Sequence, residues 1–408
     1  MAVAYLLVGD IGGTNSRFQL FDTSECTNAH QLASHEPIVE AEYLNGDFPS
    51  PLHVLRKFIE KCGRDRQPRY GCLAVAGPVQ SNRVEMTNRG WVVDGDKIAQ
   101  ELGMQEMRVV NDFVSNGYGL LTLDEETECV VLQDGEAVEG GPKACIGAGT
   151  GLGECYLTAT GPFEHDYTAW PTEGGHAEFA PRNELEVELL TFLKEATGSH
   201  TRVSIERIVS GVGLYNMYQF MRARFPAELD TALDGEIEAS GDMKGAVIAT
   251  AKGKNKLCER VMDVFTTAYG SECGTAALKY LPTGGVYIAG GMAPKNMDVM
   301  QSAAFIDAFR DKGRVSPAIA SIPVKVVMAD DLGQRGALYV ARELALGHAD
   351  AFSDYSAAPD SYTAEARARA SAAEQDAQGT PPPLFWTVLG ALVGAAATGF
   401  IFAKSSSK

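Results

Sequence analysis

Asn111 and Asp112 stand side by side where an apolar run ends, and both are residue types that handle hydroxyl groups. Arg108-Val109-Val110 reads as the end of a buried strand, and strand ends are where α/β folds display their chemistry. A carboxylate there can accept a proton from a substrate hydroxyl while the neighbouring amide holds a second one. The blander role for Asp112 is to cap a helix starting near Phe113. Glu173 and His176 flank a Gly174-Gly175 turn, so both side chains can face one pocket, although a lone histidine is often structural. Glu206 either ligates a hydroxyl or sits solvated on a helix.

A second kind of chemistry is written in glycine. Gly9-Asp10-Ile11-Gly12-Gly13-Thr14-Asn15 follows an apolar run at 5–8 and precedes an alternating one at 16–22. Glycines let the backbone turn tightly and bring its N–H groups close to an anion. Asp10 can hold a metal through water, and Thr14 offers a hydroxyl to phosphate. The loop is not Walker A, because no Gly-Lys-Ser/Thr is present, nor the Rossmann fingerprint, because a strand follows it instead of a helix. Gly147-Ala148-Gly149-Thr150-Gly151-Leu152-Gly153 echoes it, again between apolar runs. Thr14 and Thr150 take equivalent places. Two strand–glycine loop–strand units suggest a duplicated α/β core with a cleft between the copies, each loop lending N–H groups to one polyphosphate. A third pair, Gly290-Gly291, closes the run Val286–Ala289 and can approach a nucleoside.

Helices and strands must hold these groups in place. Periodicity predicts helices over 50–62, 96–102, 185–196, 243–251, 255–280 and 332–346, and strands over 70–76, 108–112 and 324–328. Trp91, after the polar turn at 87–90, either lines a binding site or anchors the core. The 408 residues have room for two domains and a large core. A net charge of -18 argues against nucleic acid as a partner. None of the eight cysteines forms a Cys-x-x-Cys pair, which suggests neither zinc nor a disulfide framework and fits a reducing compartment.

Taken together, these motifs resemble the bacterial-type glucokinases, within the hexokinase and actin-like ATPase superfamily. The likeness covers about residues 4–347. It rests on both glycine loops, Thr87-Asn88, Asn111-Asp112, Glu173-Gly174-Gly175-His176, Glu206 and Gly290-Gly291. It implies an α/β, two-domain actin-like ATPase (ribonuclease H-like) fold with a duplicated sheet-and-helix core. The small domain would be 1–112 plus 330–347, and the large one 113–329. The implied activity is ATP-dependent phosphorylation of glucose to glucose 6-phosphate, with Mg²⁺ and with Asp112 as general base on the 6-hydroxyl. Asn88, Asn111, Asp112, Glu173, His176 and Glu206 would bind the sugar. Gly9, Asp10, Gly12, Gly13, Thr14, Asn15, Gly149, Thr150, Gly151, Gly290 and Gly291 would bind Mg-ATP, with Asp10 reaching Mg²⁺ through water. The zinc-binding cysteine cluster of some relatives is missing. Relatives are often dimers, so a homodimer is admitted. The alternatives are a kinase for mannose or fructose, or a catalytically weak, membrane-tethered sugar sensor. Retention of Asp112 speaks against the sensor.

Beyond 347 the composition shifts. Residues 348–383 are rich in Ala, Ser, Asp and Glu and read as a flexible linker ending in Pro381-Pro382-Pro383. Leu384–Ala403 carries no charge, and at ~1.5 Å per residue it spans about 30 Å, the core of a bilayer. Lys404–Lys408 follow. This is expected to be a transmembrane tail anchor that holds a cytosol-facing enzyme on an organelle membrane, such as the mitochondrial outer membrane.

Overall fold

A glycine hairpin followed by parallel returns builds each half of the fold. The computed structural model describes residues 5–24, 35–86, 89–161, 167–196, 198 and 201–348. The strands are β1 (Tyr5–Ile11), β2 (Asn15–Asp22), β3 (Val39–Leu44), β4 (Tyr70–Val75), β5 (Arg83–Met86), β6 (Trp91–Asp94), β7 (Glu106–Asn111), β8 (Cys129–Gln133), β9 (Lys143–Ala148), β10 (Leu152–Ala159), β11 (Tyr167–Pro171), β12 (Gly285–Ala289) and β13 (Val324–Val327). The first sheet runs β3-β2-β1-β4-β7, with β2 antiparallel to β1 and β3, and β1, β4 and β7 mutually parallel. The second runs β11-β10-β9-β12-β13-β8 and repeats that pattern in its first five strands, with β8 added antiparallel at the edge. The duplication expected from the paired glycine loops is therefore present in the sheet order. β5 and β6 form a separate hairpin.

The longer helices are α1 (Pro51–Cys62), α2 (Gly95–Leu102), α3 (Asp112–Gly119), α4 (Glu184–Ala196), α5 (Gly211–Arg224), α6 (Thr231–Ala239), α7 (Lys256–Tyr280), α8 (Ala303–Arg310) and α9 (Leu332–Ala345). One face of the first sheet packs Leu7, Phe18, Leu73 and Val109 against Leu55 and Phe58 of α1, Ile98 of α2 and the indole of Trp91. The other face packs Leu6, Cys72 and Val110 against α3 and α9, and the same core takes in Cys145, Cys155 and Tyr287 from the second sheet. Parallel strands covered on both faces must be apolar on both faces, hence their near-continuous apolar runs.

α3 and α9 cross closely. A methyl on Gly336 would overlap the Ser115 carbonyl oxygen, and one on Gly119 would overlap that of Leu332. Tyr118 and Tyr339 stack across the crossing with ring centroids 5.8 Å apart. This crossing fixes the start of α3, where Asp112 stands.

Both sheets fall in one compact unit, and Pro181–Val203, with α4, belongs to another. Within that second segment Arg182 pairs with the buried Glu186 at 2.6 Å. Among the described residues no helix is long and apolar enough to cross a membrane. The linker beyond 348 and the span at 384–403 lie outside the described residues.

Candidate active site

The candidate residues gather at the C-terminal ends of the parallel strands. Asp10 lies near the end of β1, Gly77 follows β4, and Asn111-Asp112 closes β7. In the second sheet Gly149 follows β9 and Gly290 follows β12. This is the edge where open α/β sheets bind ligands.

The helix cap is Asn111, not Asp112. Asn111 Oδ1 accepts from the N–H of Phe113 at 2.9 Å and of Val114 at 3.2 Å. Its Nδ2 donates to Gly77 O at 3.1 Å and to Asp112 Oδ1 at 2.9 Å. Asp112 Oδ1 also accepts from Phe113 N–H at 3.0 Å. Asn111 thus satisfies the helix start, ties it to the neighbouring strand end and aims the Asp112 carboxyl. Burial pushes the pKa of Asp112 up to about 6; the Phe113 N–H works against that rise, while the negative charges of Asp10 and Glu173 add to it. Asp10 and Glu173 are therefore both close enough for their charge to bear on the Asp112 carboxyl.

Asp10 pairs across the hairpin with Arg17. Its carboxyl is open to solvent yet crowded by protein, and desolvation raises its pKa while Arg17 pulls the other way. Among the described residues it has no hydrogen-bond partner. An accessible carboxylate with no hydrogen-bond partner among the described residues can reach a hydrated divalent cation, although among those residues no group of three or more His, Cys, Asp or Glu is placed to hold a metal ion directly.

In the first loop Gly12 N–H donates to Asn15 O at 3.0 Å, but the N–H groups of Gly13 and Thr14 meet no acceptor among the described residues. In the second, Gly149 N–H donates to Gly151 O, and Gly149 O accepts from Gly211 N–H at the start of α5, both at 2.8 Å. The N–H groups of Thr150 and Gly151 are likewise unused among the described residues. Two pairs of free N–H groups on glycine turns suit phosphate oxygens. Gly290, at φ +79°, packs on the Ala148 carbonyl and brings Gly290-Gly291 beside the second loop. Gly9 is different. It lies inside β1, where a side chain would strike Leu73 and Phe18, so packing explains this glycine.

Glu173 and His176 do come together, with Oε2 and Nε2 3.8 Å apart and both side chains exposed. Their turn sits on the start of β10, where Gly175 meets the Leu152 carbonyl and Gly174 meets the carboxyl of Glu154. Glu206 Oε2 accepts from Leu152 N–H at 2.9 Å and packs against Gly151. The sugar-side candidates and the second glycine loop are thus in direct contact. Trp91 is 7 % exposed and serves as a core anchor. Asn88 lies outside the described residues.

Sequence reasoning missed two features. Asn45 and Arg89 hold the first loop from outside, and only the Asn45-Gly46 turn signal hinted at the first. Glu154 is 1 % exposed and neither carboxylate oxygen has a hydrogen-bond partner. Its clue was a charge in a strand otherwise fit for burial.

Comparison with known proteins bears on the family and the fold. The family model described as Glucokinase matches residues 7–344. A glucokinase of Nostoc sp. is 39% identical over 351 residues, covering 83% of this chain and 99% of its own. One from Chromohalobacter salexigens is 36% identical over 331 residues, covering 81% and 95%. The crystal structure of a glucokinase from an Antarctic psychrotroph superposes with a TM-score of 0.67 at 29% identity, covering 83% of this chain and 99% of that one. A glucokinase from Balamuthia mandrillaris, in complex with glucose, shares the fold at 18% identity and a TM-score of 0.63, covering 83% and 93%.

Proposed function

The chain belongs to the glucokinase family, and on that premise we propose how its own residues carry out ATP-dependent phosphorylation of glucose. The observation that carries the reading is the Asp112 carboxyl, aimed by Asn111 at the edge where both glycine loops open. Asp112 takes the proton of the sugar 6-hydroxyl as the oxygen becomes a nucleophile. Asn88, Glu173, His176 and Glu206 hold other hydroxyls, and Asn111 adds its hold on the base. The free N–H groups of Gly13, Thr14, Thr150 and Gly151 hold phosphate oxygens, with Gly290-Gly291 beside the nucleoside. Asp10 would hold Mg²⁺, and the cation when bound would neutralise charge on the phosphates. Phosphoryl transfer needs positioning and charge stabilisation more than covalent chemistry, which is what these residues supply.

In the same reading, each sheet with its helices is a lobe, 1–112 plus 330–347 and 113–329. Closing the lobes expels water, a competing acceptor. Residues 384–403 serve as a membrane span that tethers the kinase to an organelle membrane, facing the cytosol. The support for that tether is the uncharged run itself. Pairing into a homodimer completes the proposal, and sedimentation tests it.

The base must be ionised to act. With its pKa at about 6, kcat/KM holds steady above that pH and falls about tenfold per unit below it. Asp112→Asn keeps the shape and removes the acceptor, so kcat drops by ~10²-fold or more while glucose still binds. A coupled assay over a hexose panel tests the substrate assignment. Near-normal turnover in Asp112→Asn removes the base from this site, and faster turnover of mannose or fructose changes the substrate.

A further inference from the structure

We propose that Asn45 and Arg89 are positioning residues that turn the carbonyls of the first glycine loop outward, so that its N–H groups face the phosphates of ATP. The inference rests on the reading of that loop as a phosphate cradle. Asn45 is wholly buried. Its backbone N–H donates to Thr14 O at 2.8 Å and its Nδ2 to Gly12 O at 2.8 Å. Its Oδ1 accepts from Ser16 Oγ at 2.6 Å, which fixes the amide's orientation. Arg89 Nε donates to Gly13 O at 2.8 Å. Three successive carbonyls, those of Gly12, Gly13 and Thr14, are therefore held by groups from outside the loop.

The trans peptide plane turns this into a statement about donors. In each plane the N–H of the next residue points opposite the carbonyl. Holding Gly12 O and Gly13 O on one side therefore presents the N–H groups of Gly13 and Thr14 on the other. These are the two N–H groups that meet no acceptor among the described residues. A loop free to rotate its peptides would have to order them on binding, at a cost in entropy that the frame removes in advance. Arg89 is itself braced, with its guanidinium 5.4 Å over the ring of Trp91, which is seated in the core. Neither residue need touch substrate to do this.

The test uses the full chain and equilibrium binding, so that it does not depend on turnover. Calorimetry with magnesium and the non-hydrolysable analogue AMPPNP, glucose present, is compared with glucose titration alone. Arg89→Met keeps an apolar stem on Trp91 and removes the donor. It weakens AMPPNP by about 3–10-fold, the worth of one hydrogen bond, and shifts glucose affinity by less than about twofold. Arg89→Gln retains an N–H donor and recovers part of the loss. A melting temperature near that of the parent confirms that the fold is intact. Thr14→Pro removes one of the two cradle N–H groups and so tests the cradle itself, with its melting temperature as the check on folding. If a folded Thr14→Pro weakens AMPPNP and Arg89→Met does not, the positioning role is overturned while the cradle stands. If a folded Thr14→Pro leaves AMPPNP binding unchanged, the cradle reading fails and this inference with it. Equal losses for AMPPNP and glucose in Arg89→Met show a general structural role, and overturn it too.

Discussion

Glu154→Gln should gain stability relative to the parent as the pH rises, and become the more stable of the two at alkaline pH. Glu154 is 1 % exposed, both its oxygens lack hydrogen-bond partners, and its carboxyl abuts Gly174. Burial pushes its pKa from 4.5 up to about 8, the negative charge of Glu272 adds to the rise, and Lys279 opposes it. The sign follows from linkage. The folded pKa lies above the unfolded one, so this group's contribution is most favourable below pH 4.5 and is lost as the pH rises through 8. At about 1.4 kcal/mol per unit, the loss is under ~1 kcal/mol at pH 5, about 3 at pH 7 and about 5 at pH 9. A glutamine has nearly the same shape and no charge to desolvate. Its amide, left without partners, costs a pH-independent ~1–3 kcal/mol. The expected signature is therefore a stability difference between variant and parent that grows by about 4 kcal/mol from pH 5 to pH 9. Urea melts of both proteins across that range, analysed at a common slope, read it directly. Glu272→Gln should flatten part of the parent's dependence by removing the neighbouring charge. A constant offset between Glu154→Gln and the parent at all pH values would refute the reasoning, because it would mean that Glu154 is ionised in the fold throughout.

Three further outcomes are expected. Gly336→Ala gains helix propensity but drives a methyl into the Ser115 carbonyl, so overpacking should win and lower stability by about 1–3 kcal/mol in urea melts; a more stable variant would mean that the α3–α9 crossing is looser than described. Glu173→Gln or His176→Ala should raise the glucose KM by roughly 5–100-fold and leave the ATP KM nearly unchanged, each removing a partner for a sugar hydroxyl; an effect confined to ATP would place the pair on the other side of the site. Deleting 381–408 should release an active, soluble kinase with unchanged sugar preference, and 349–408 fused to an inert reporter should carry the reporter to a membrane, from which it should resist carbonate extraction; a full-length protein that stays soluble would end the tether proposal.

Much of this protein is legible in one dimension because its strongest signals are local. Glycine loops after apolar runs, Asn111-Asp112 at a strand end and the long periodic stretches depend on neighbours in sequence, and helices expected over 50–62 and 255–280 are found at Pro51–Cys62 and Lys256–Tyr280. Weaker or shorter elements escaped. Edge strand Val39–Leu44 is half exposed, and helix Gly211–Arg224 opens on Gly-Val-Gly, which reads as a turn.

Which of two adjacent capping residues folds back over a helix is not a local matter. Asn111 caps because Gly77 O, from the next strand, accepts from its amide, and this leaves Asp112 to face the site. Trp91 was balanced between core and pocket, and the packing of the first sheet against α1 and α2 placed it in the core. Gly9 belongs to a glycine motif in sequence, yet its glycine is required by Leu73 and Phe18. Asn45 and Arg89 reach the first loop from distant turns, and Glu154 feels the charge of Glu272 from another element altogether. Chain pattern determined which residue types could do chemistry and on which elements. Their orientation, partners and charge were decided by contacts between segments far apart in sequence, because hydrogen bonds and desolvation depend on distance in space.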